Sequence, residues 1–182
     1  MVVSMLMTCV AQAGYTIRYA KSTDLDAIMA LDRAISWEHF KPLLLERNSD
    51  EKAVDCGLEE ELIHDQSKFL KAINFQKDRR IKIACDDNVM VGFINFSKRA
   101  NLLYIDLLMI DKKRRGRGIG KKLLHAAHNE FSGVNQMALL ILKNNIAARA
   151  FYEKYGFVEK TMPGWGLSSD SDSYCYYVYP LV

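Results

Sequence analysis

The sequence predicts a single α/β domain in which one β-sheet is covered by helices. Short runs of apolar, β-permissive residues alternate along the chain with longer segments whose apolar residues recur every three to four positions. The chain length agrees with a single domain, because 182 residues of 49% hydrophobic composition can bury one full core but leave little room for a second one. No internal repeat or linker-like stretch divides the chain.

Several features of the whole sequence limit the classes of protein to which the chain can belong. Residues 1–14 are apolar but lack the positively charged start of a secretion signal, so we expect an N-terminal extension without regular structure and a single domain over residues 15–182. The four cysteines show no C-x-x-C spacing, which argues against a zinc site and favours a cytoplasmic protein. No run approaches the ~18 apolar residues that cross a bilayer. We therefore expect neither a metal nor a membrane partner.

The first half of the chain predicts one strand and two helices. Residues 15–20 alternate as a strand, and a Ser-Thr-Asp cap precedes an amphipathic helix over residues 25–35. Residues 37–52 are of mixed composition and contain Pro42, which favours a long loop with one short helix. A second amphipathic helix is expected over residues 58–75.

The second half predicts most of the sheet. An Asp-Asp-Asn run between two apolar segments indicates a hairpin. The elements are expected in this order: strands at 80–84, 89–97 and 101–110, a helix beginning at 119, a strand at 137–142, a helix at 147–155, and strands at 157–160 and 173–179.

The chemistry is concentrated in the loop between the strand at 101–110 and the following helix. Gly116, Gly118 and Gly120 remove side chains where the chain must turn sharply, so the first amides of the helix stay uncovered. Those amides and the helix dipole form a binding site for an anion, to which the basic side chains of the loop add full charges. A pyrophosphate is the ligand that this arrangement favours.

The positive charge is local. Residues 112–122 contain seven Lys or Arg and no acid, whereas the rest of the chain has 18 basic and 22 acidic residues. One focused basic site suits a compact anion better than a long nucleic-acid track.

The glycine spacing identifies the type of loop. It matches neither the G-x-G-x-x-G dinucleotide fingerprint nor a P-loop. Residues 115–120 read R-x-x-G-x-G and resemble the acetyl-CoA-binding motif of the GNAT superfamily of N-acetyltransferases. Residues 145–157 resemble the family's next motif, an Asn, a short helix carrying a Tyr, and Gly-Phe. This resemblance implies a mixed, mostly antiparallel sheet of six to seven strands flanked by about four helices.

The resemblance also implies roles for particular residues. Backbone groups of a splayed strand edge would pair with the pantetheine arm of acetyl-CoA, loop amides would hold its pyrophosphate, and Asn145 would hydrogen-bond the arm or its surroundings. The Tyr152 hydroxyl would lie at the sulfur as general acid to the CoA thiolate. The expected cofactor-binding residues are Leu108, Met109, Ile110, Arg115, Gly116, Arg117, Gly118, Ile119, Gly120, Lys121 and Asn145.

Asp106 is the candidate general base. It is the only acid in the apolar strand and lies two residues before the segment expected to bind pantetheine. An amine that is protonated at pH 7 must lose a proton before it can attack the thioester. Many family members carry Glu at a nearby strand position, and one such position here is Tyr104. A structural role for Asp106, bridging neighbouring strands, has equal support.

The leading hypothesis is therefore an acetyl-CoA-dependent N-acetyltransferase acting on a small-molecule or peptide amine, as a monomer or homodimer without nucleic acid. Two alternatives stay open. One is a nucleic-acid-binding module using residues 112–122, and the other is a GNAT-fold protein that binds acyl-CoA without turnover. The identity of the amine does not follow from the sequence.

Overall fold

The computed structural model of the chain describes residues 14–74, 78–164 and 171–181. Within these ranges seven strands form one sheet and four α-helices cover it. The elements are β1 (Thr16–Tyr19), α1 (Leu25–Arg47), α2 (Glu51–Ile73), β2 (Arg79–Asp86), β3 (Val89–Arg99), β4 (Leu102–Ile110), α3 (Ile119–His128), β5 (Gln136–Leu142), α4 (Ile146–Tyr155), β6 (Val158–Lys160) and β7 (Tyr174–Pro180). The N-terminal extension expected at residues 1–14 lies almost entirely outside the described residues.

The sheet is mixed and mostly antiparallel. Its strand order is β1-β2-β3-β4-β5-β7-β6, and β4 with β5 is the parallel pair. The neighbouring pairs on either side are antiparallel. The architecture expected from the sequence is therefore confirmed, including the hairpin between β2 and β3. Its turn residues Asp87 and Asn88 have φ values of 47° and 66°, the left-handed backbone that a tight hairpin turn requires.

The region between β1 and β2 differs from the prediction. The long loop with one short helix that we expected over residues 37–52 does not form; α1 continues through Pro42 to Arg47, and α2 begins soon after at Glu51. The long-range pairing of the two helices outweighs the local cost of a helical proline. Lys41, next to the proline, contacts Glu51 and Asp55 of α2 at 2.8 and 2.9 Å.

The helices lie on both faces of the sheet. Buried residues of α3 and Tyr152 of α4 pack in one core cluster with Ile94 and Phe96 of β3. Ile28 of α1 and Phe69 of α2 pack in a second cluster with Phe93 of the same strand. Since alternate residues of a strand point to opposite faces, α3 and α4 cover one face, and α1 and α2 cover the other. Ile119, Leu123 and Ala127 recur every four residues on α3 and form its buried stripe.

Candidate active site

The two strands at the centre of the sheet separate. The parallel pairing of β4 with β5 joins Leu102 to Gln136, Leu103 to Met137 and Tyr104 to Ala138. Both strands continue for several residues, but among the described residues no further β4–β5 pair follows. On the edge of β4 that faces β5, the backbone N–H and C=O groups beyond Tyr104 therefore have no partner strand within the described ranges and could pair with a ligand.

A β-bulge lies at the start of this separated segment. Phe96 of β3 is opposite Ile105, whereas the preceding Asn95 is opposite Leu107, so Asp106 is the extra residue of β4. Residues 106–108 are half-buried, although β4 is the middle strand of seven. Solvent therefore reaches the centre of the sheet at the bulge.

The glycine-rich loop leads from β4 into α3 as the sequence predicts. Gly116 and Gly118 have φ values of 76° and 77°, a backbone that glycine adopts without strain. Gly118 is the N-cap, and the first bond of the helix runs from the Lys122 amide to the Gly118 carbonyl at 3.1 Å. The amides of the first turn before Lys122 consequently lack intrahelical acceptors. A Cβ built on Gly116 or Gly118 would meet no atom within 4 Å, so the space over the loop is open.

Part of the positive charge of the loop is used to hold the loop in place. Lys112 pairs with Glu38 of α1 at 2.6 Å, and Arg114 pairs with Asp86 of β2 at 2.7 Å. The Nε of Arg115 donates to the carbonyl of Ile110 at 3.1 Å, which closes the end of β4 onto the loop.

Arg117 and Lys121 are exposed beside the uncovered amides. Both side chains therefore place a positive charge where an anion at the N-terminus of α3 could meet it.

The second sequence motif forms α4. The Asn145 side chain caps the helix, with its Oδ1 accepting from the Ala148 amide at 3.1 Å. Tyr152 is 7% exposed, and its ring makes edge contacts with Phe151 and Phe157. Burial raises the pKa of the Tyr152 phenol well above its ordinary value, so the hydroxyl keeps its proton at neutral pH.

Asp106 and Tyr152 lie on opposite faces of the sheet. The Oδ2 of Asp106 accepts a hydrogen bond from Ser97 at 3.0 Å, and Ser97 points away from the α3 and α4 face because it follows Phe96. The Oδ1 of Asp106 accepts from Arg99 at 3.1 Å, and Arg79 lies 3.9 Å from Oδ2. Both oxygens thus already have partners, an arrangement that supports the structural interpretation of Asp106.

Tyr104 bridges the strands at the point where they separate. Its ring lies under the guanidinium of Arg99, 3.7 Å from the centroid. Its hydroxyl accepts a hydrogen bond from the backbone of Leu140 on β5. Burial raises the pKa of Tyr104 to about 12, so a phenol at this strand position cannot replace a carboxylate as a base at neutral pH.

The sequence analysis missed a group of buried polar residues on the α1 side. Asp32, Asn95 and Ser97 are the polar residues that are buried in the described part of the chain. The available signal was an Asn and a Ser two positions apart in the otherwise apolar strand β3. Within the described residues, no group of three acidic, His or Cys side chains could hold a metal. In the same ranges, no helix has the length and apolar composition to cross a membrane.

Comparison with known proteins agrees with this geometry. A family model described as an acetyltransferase (GNAT) domain matches residues 46–164, more than half of the chain. An acetyltransferase of Agrobacterium fabrum is 34% identical over 84 residues, which are 46% of this chain and 61% of that protein. The match thus spans less than two thirds of the relative's length.

Solved structures share the fold. The PaiA N-acetyltransferase of Thermoplasma acidophilum, solved with coenzyme A, covers 92% of this chain and 99% of its own, with 21% identity and a TM-score of 0.72. A Bacillus anthracis protein solved with acetyl coenzyme A is 33% identical, covering 58% of this chain and 64% of its own at a TM-score of 0.50.

Fold and site together define an α+β protein whose split central sheet opens beside a helix N-terminus with uncovered amides. The chain belongs to the GNAT family of acetyltransferases.

Proposed function

We propose that this protein transfers an acetyl group from acetyl-CoA to a primary amine by direct attack. The observation that carries the proposal is the separation of β4 from β5 after Tyr104, next to the uncovered N-terminus of α3. An extended, amide-rich arm that ends in a pyrophosphate needs a free strand edge and an anion site in succession. The described residues fit both needs.

The donor would be held mainly by backbone groups. The β4 edge at Leu108, Met109 and Ile110 is assigned to the pantetheine arm, and the Ile110 carbonyl is already partnered by Arg115. The amides from Arg115 to Lys121, through Gly116, Arg117, Gly118, Ile119 and Gly120, are assigned to the pyrophosphate. Asn145 contributes beside the arm while capping α4.

The chemistry requires two proton transfers. The amine nitrogen forms a bond to the acetyl carbon, the carbon–sulfur bond breaks, and the amine loses a proton. Tyr152 is assigned as the donor of a proton to the departing thiolate, a role for which a buried neutral phenol is suited. Asp106 is the candidate acceptor of the amine proton, and to act in this way one of its oxygens must exchange a present contact for that proton.

Tyr152 and Asp106 lie on opposite faces of the sheet, which suits their separate roles as proton donor and proton acceptor. The donor thiolate would meet Tyr152 from the α3 and α4 face, and the amine would approach past Asp106 from the α1 and α2 face. The gap between β4 and β5 connects the two faces.

Calorimetric titration with acetyl-CoA and with CoA at two salt concentrations tests the donor half. We expect saturable one-to-one binding in the wild type that weakens as salt rises. The double variant Arg115→Ala/Gly118→Glu should abolish binding. Lys52→Ala/Gly57→Glu on exposed positions of α2 makes the same change of charge and should bind as the wild type does. Equal affinity in all three proteins would refute the assignment of the loop.

A second candidate function is binding of acyl-CoA without turnover. It is favoured by one observation, that both carboxylate oxygens of Asp106 are engaged by neighbouring side chains. Amine-dependent release of CoA, followed with a thiol reagent, separates the two candidates. Binding of acetyl-CoA without release in the presence of any primary amine would favour the second.

A further inference from the structure

The three buried polar residues lie in one layer of the molecule. Asn95 and Ser97 flank Phe96, which packs beneath α3, so their side chains point to the face covered by α1 and α2. Asp32 lies on α1 one helical turn after Ile28, whose side chain belongs to the core cluster of that face. Polar groups in an apolar layer cost free energy unless they are hydrogen-bonded.

Two of the three have partners. The hydroxyl of Ser97 donates to Asp106 at 3.0 Å, and the Oδ1 of Asp32 accepts from the hydroxyl of Ser36 at 3.3 Å. Asn95 is 2% exposed, and its Oδ1 is buried without a hydrogen-bond partner among the described residues. Folding alone gives no reason for an amide oxygen at this place, since an apolar side chain would avoid the cost.

The location of Asn95 gives the reason. It is opposite Leu107 across the strands, directly after the bulge at Asp106. Leu107 and its neighbours on β4 are half-buried, so solvent reaches this layer at the bulge. Adjacent strands are about 4.8 Å apart, which puts Asn95 one strand spacing from β4, whose opposite edge faces the gap.

We propose that Asn95 contacts the acceptor, its Oδ1 accepting a hydrogen bond from the nitrogen of a primary amine. The inference rests on the proposed acetyl transfer. A neutral primary amine has two N–H groups and one lone pair, so it can donate to Asn95 while the lone pair attacks.

Three variants test this assignment. Asn95→Val removes the oxygen and suits a strand, so we expect a higher midpoint of urea unfolding. The same variant should raise the acceptor KM by about three- to tenfold, the usual effect of losing a hydrogen bond between neutral groups, with unchanged affinity for acetyl-CoA. Asn95→Asp keeps the oxygen and should preserve the acceptor KM. Ser97→Ala, which removes a satisfied polar group from the same strand face, should lower the unfolding midpoint.

The probes are Nα-acetyl-lysine amide, an alanyl dipeptide amide and 1,4-diaminobutane, with release of CoA followed by a thiol reagent. The kinetic comparison uses whichever probe gives the highest kcat/KM with the wild type. An unchanged acceptor KM in Asn95→Val would overturn the role of Asn95 while leaving acetyl transfer intact. A lower unfolding midpoint in that variant would also overturn it, because the oxygen would then be satisfied within the fold. A wild type that binds no acetyl-CoA would overturn the proposed function and this inference together.

Discussion

The backbone of Gly120 lies against the ring of Phe151, and a methyl group built on Gly120 would be 3.0 Å from the Cζ of that ring. Gly120 is in the first turn of α3, and Phe151 precedes Tyr152 on α4. The contact brings the helix with the proposed anion site close to the helix with the proposed acid. The third glycine of the loop is therefore a packing requirement, unlike Gly116 and Gly118, whose added Cβ would meet open space.

Gly120→Ala should destabilise the protein by about 1 kcal/mol, because an added methyl in a packed contact forces the Phe151 ring to move. Gly57→Ala is the matched control, since Gly57 also lies in a helix but a Cβ there meets no atom within 4 Å. In the control, the free energy of unfolding should rise by about 0.5–1 kcal/mol, because alanine has a higher helix propensity than glycine. Urea unfolding of both variants gives the comparison, and an equal gain in the two would show that Phe151 accommodates the methyl without cost.

Tyr152→Phe should lower kcat by about 100-fold or more and leave the affinity for acetyl-CoA unchanged, because it removes only the proton donor. Tyr155→Phe, three residues further on the same helix, should keep full turnover. Since burial raises the pKa of Tyr152, deprotonation of this phenol should not reduce the wild-type rate between pH 8 and about 10. Unchanged turnover in Tyr152→Phe would remove this residue from the chemistry.

Asp106→Asn separates the two interpretations of Asp106. If it accepts the amine proton, kcat should fall by about 100-fold or more beyond any loss of stability. Asp24→Asn is the control for the loss of an ion pair, since Asp24 pairs with Arg18 at 2.7 Å at the start of α1. Thermal unfolding and turnover are measured on both. A stability loss with normal turnover in Asp106→Asn would assign Asp106 to the fold alone.

Stability should fall at alkaline pH. Burial raises the pKa of several tyrosines, foremost Tyr152 and Tyr104, the latter to about 12. A raised folded-state pKa means that, as pH rises, the unfolded chain loses these protons before the folded chain does. The contribution of the buried phenols to the free energy of unfolding is therefore complete below pH 10 and is lost above it. For Tyr104 alone, the free energy of unfolding should be about 1.4 kcal/mol lower at pH 11 than at neutral pH.

Urea unfolding of the wild type from pH 8 to 11 measures this dependence. The variant Tyr104→Phe should show a shallower decline over the same range, because it removes one of the titrating groups. Parallel curves for the two proteins would contradict the assigned pKa of Tyr104.

Much of the fold was predictable because its signals are local. The hairpin turn at Asp87 and Asn88, the caps of α3 and α4, and the apolar stripe of α3 each depend on a few neighbouring residues. The one clear failure is the loop expected around Pro42. That prediction rested on the tendency of proline to break helices and took no account of the pairing of α1 with α2.

The sequence by itself determined the uncovered amides at the start of α3, because glycine spacing and a strand-to-helix turn specify them without reference to distant parts of the chain. Only the tertiary structure decided the rest. The separation of β4 from β5 depends on residues some 35 positions apart, and the bulge at Asp106 depends on its register with β3. The partners of Asp106, its placement opposite Tyr152, and the unpartnered oxygen of Asn95 follow from that long-range register, which no local pattern encodes.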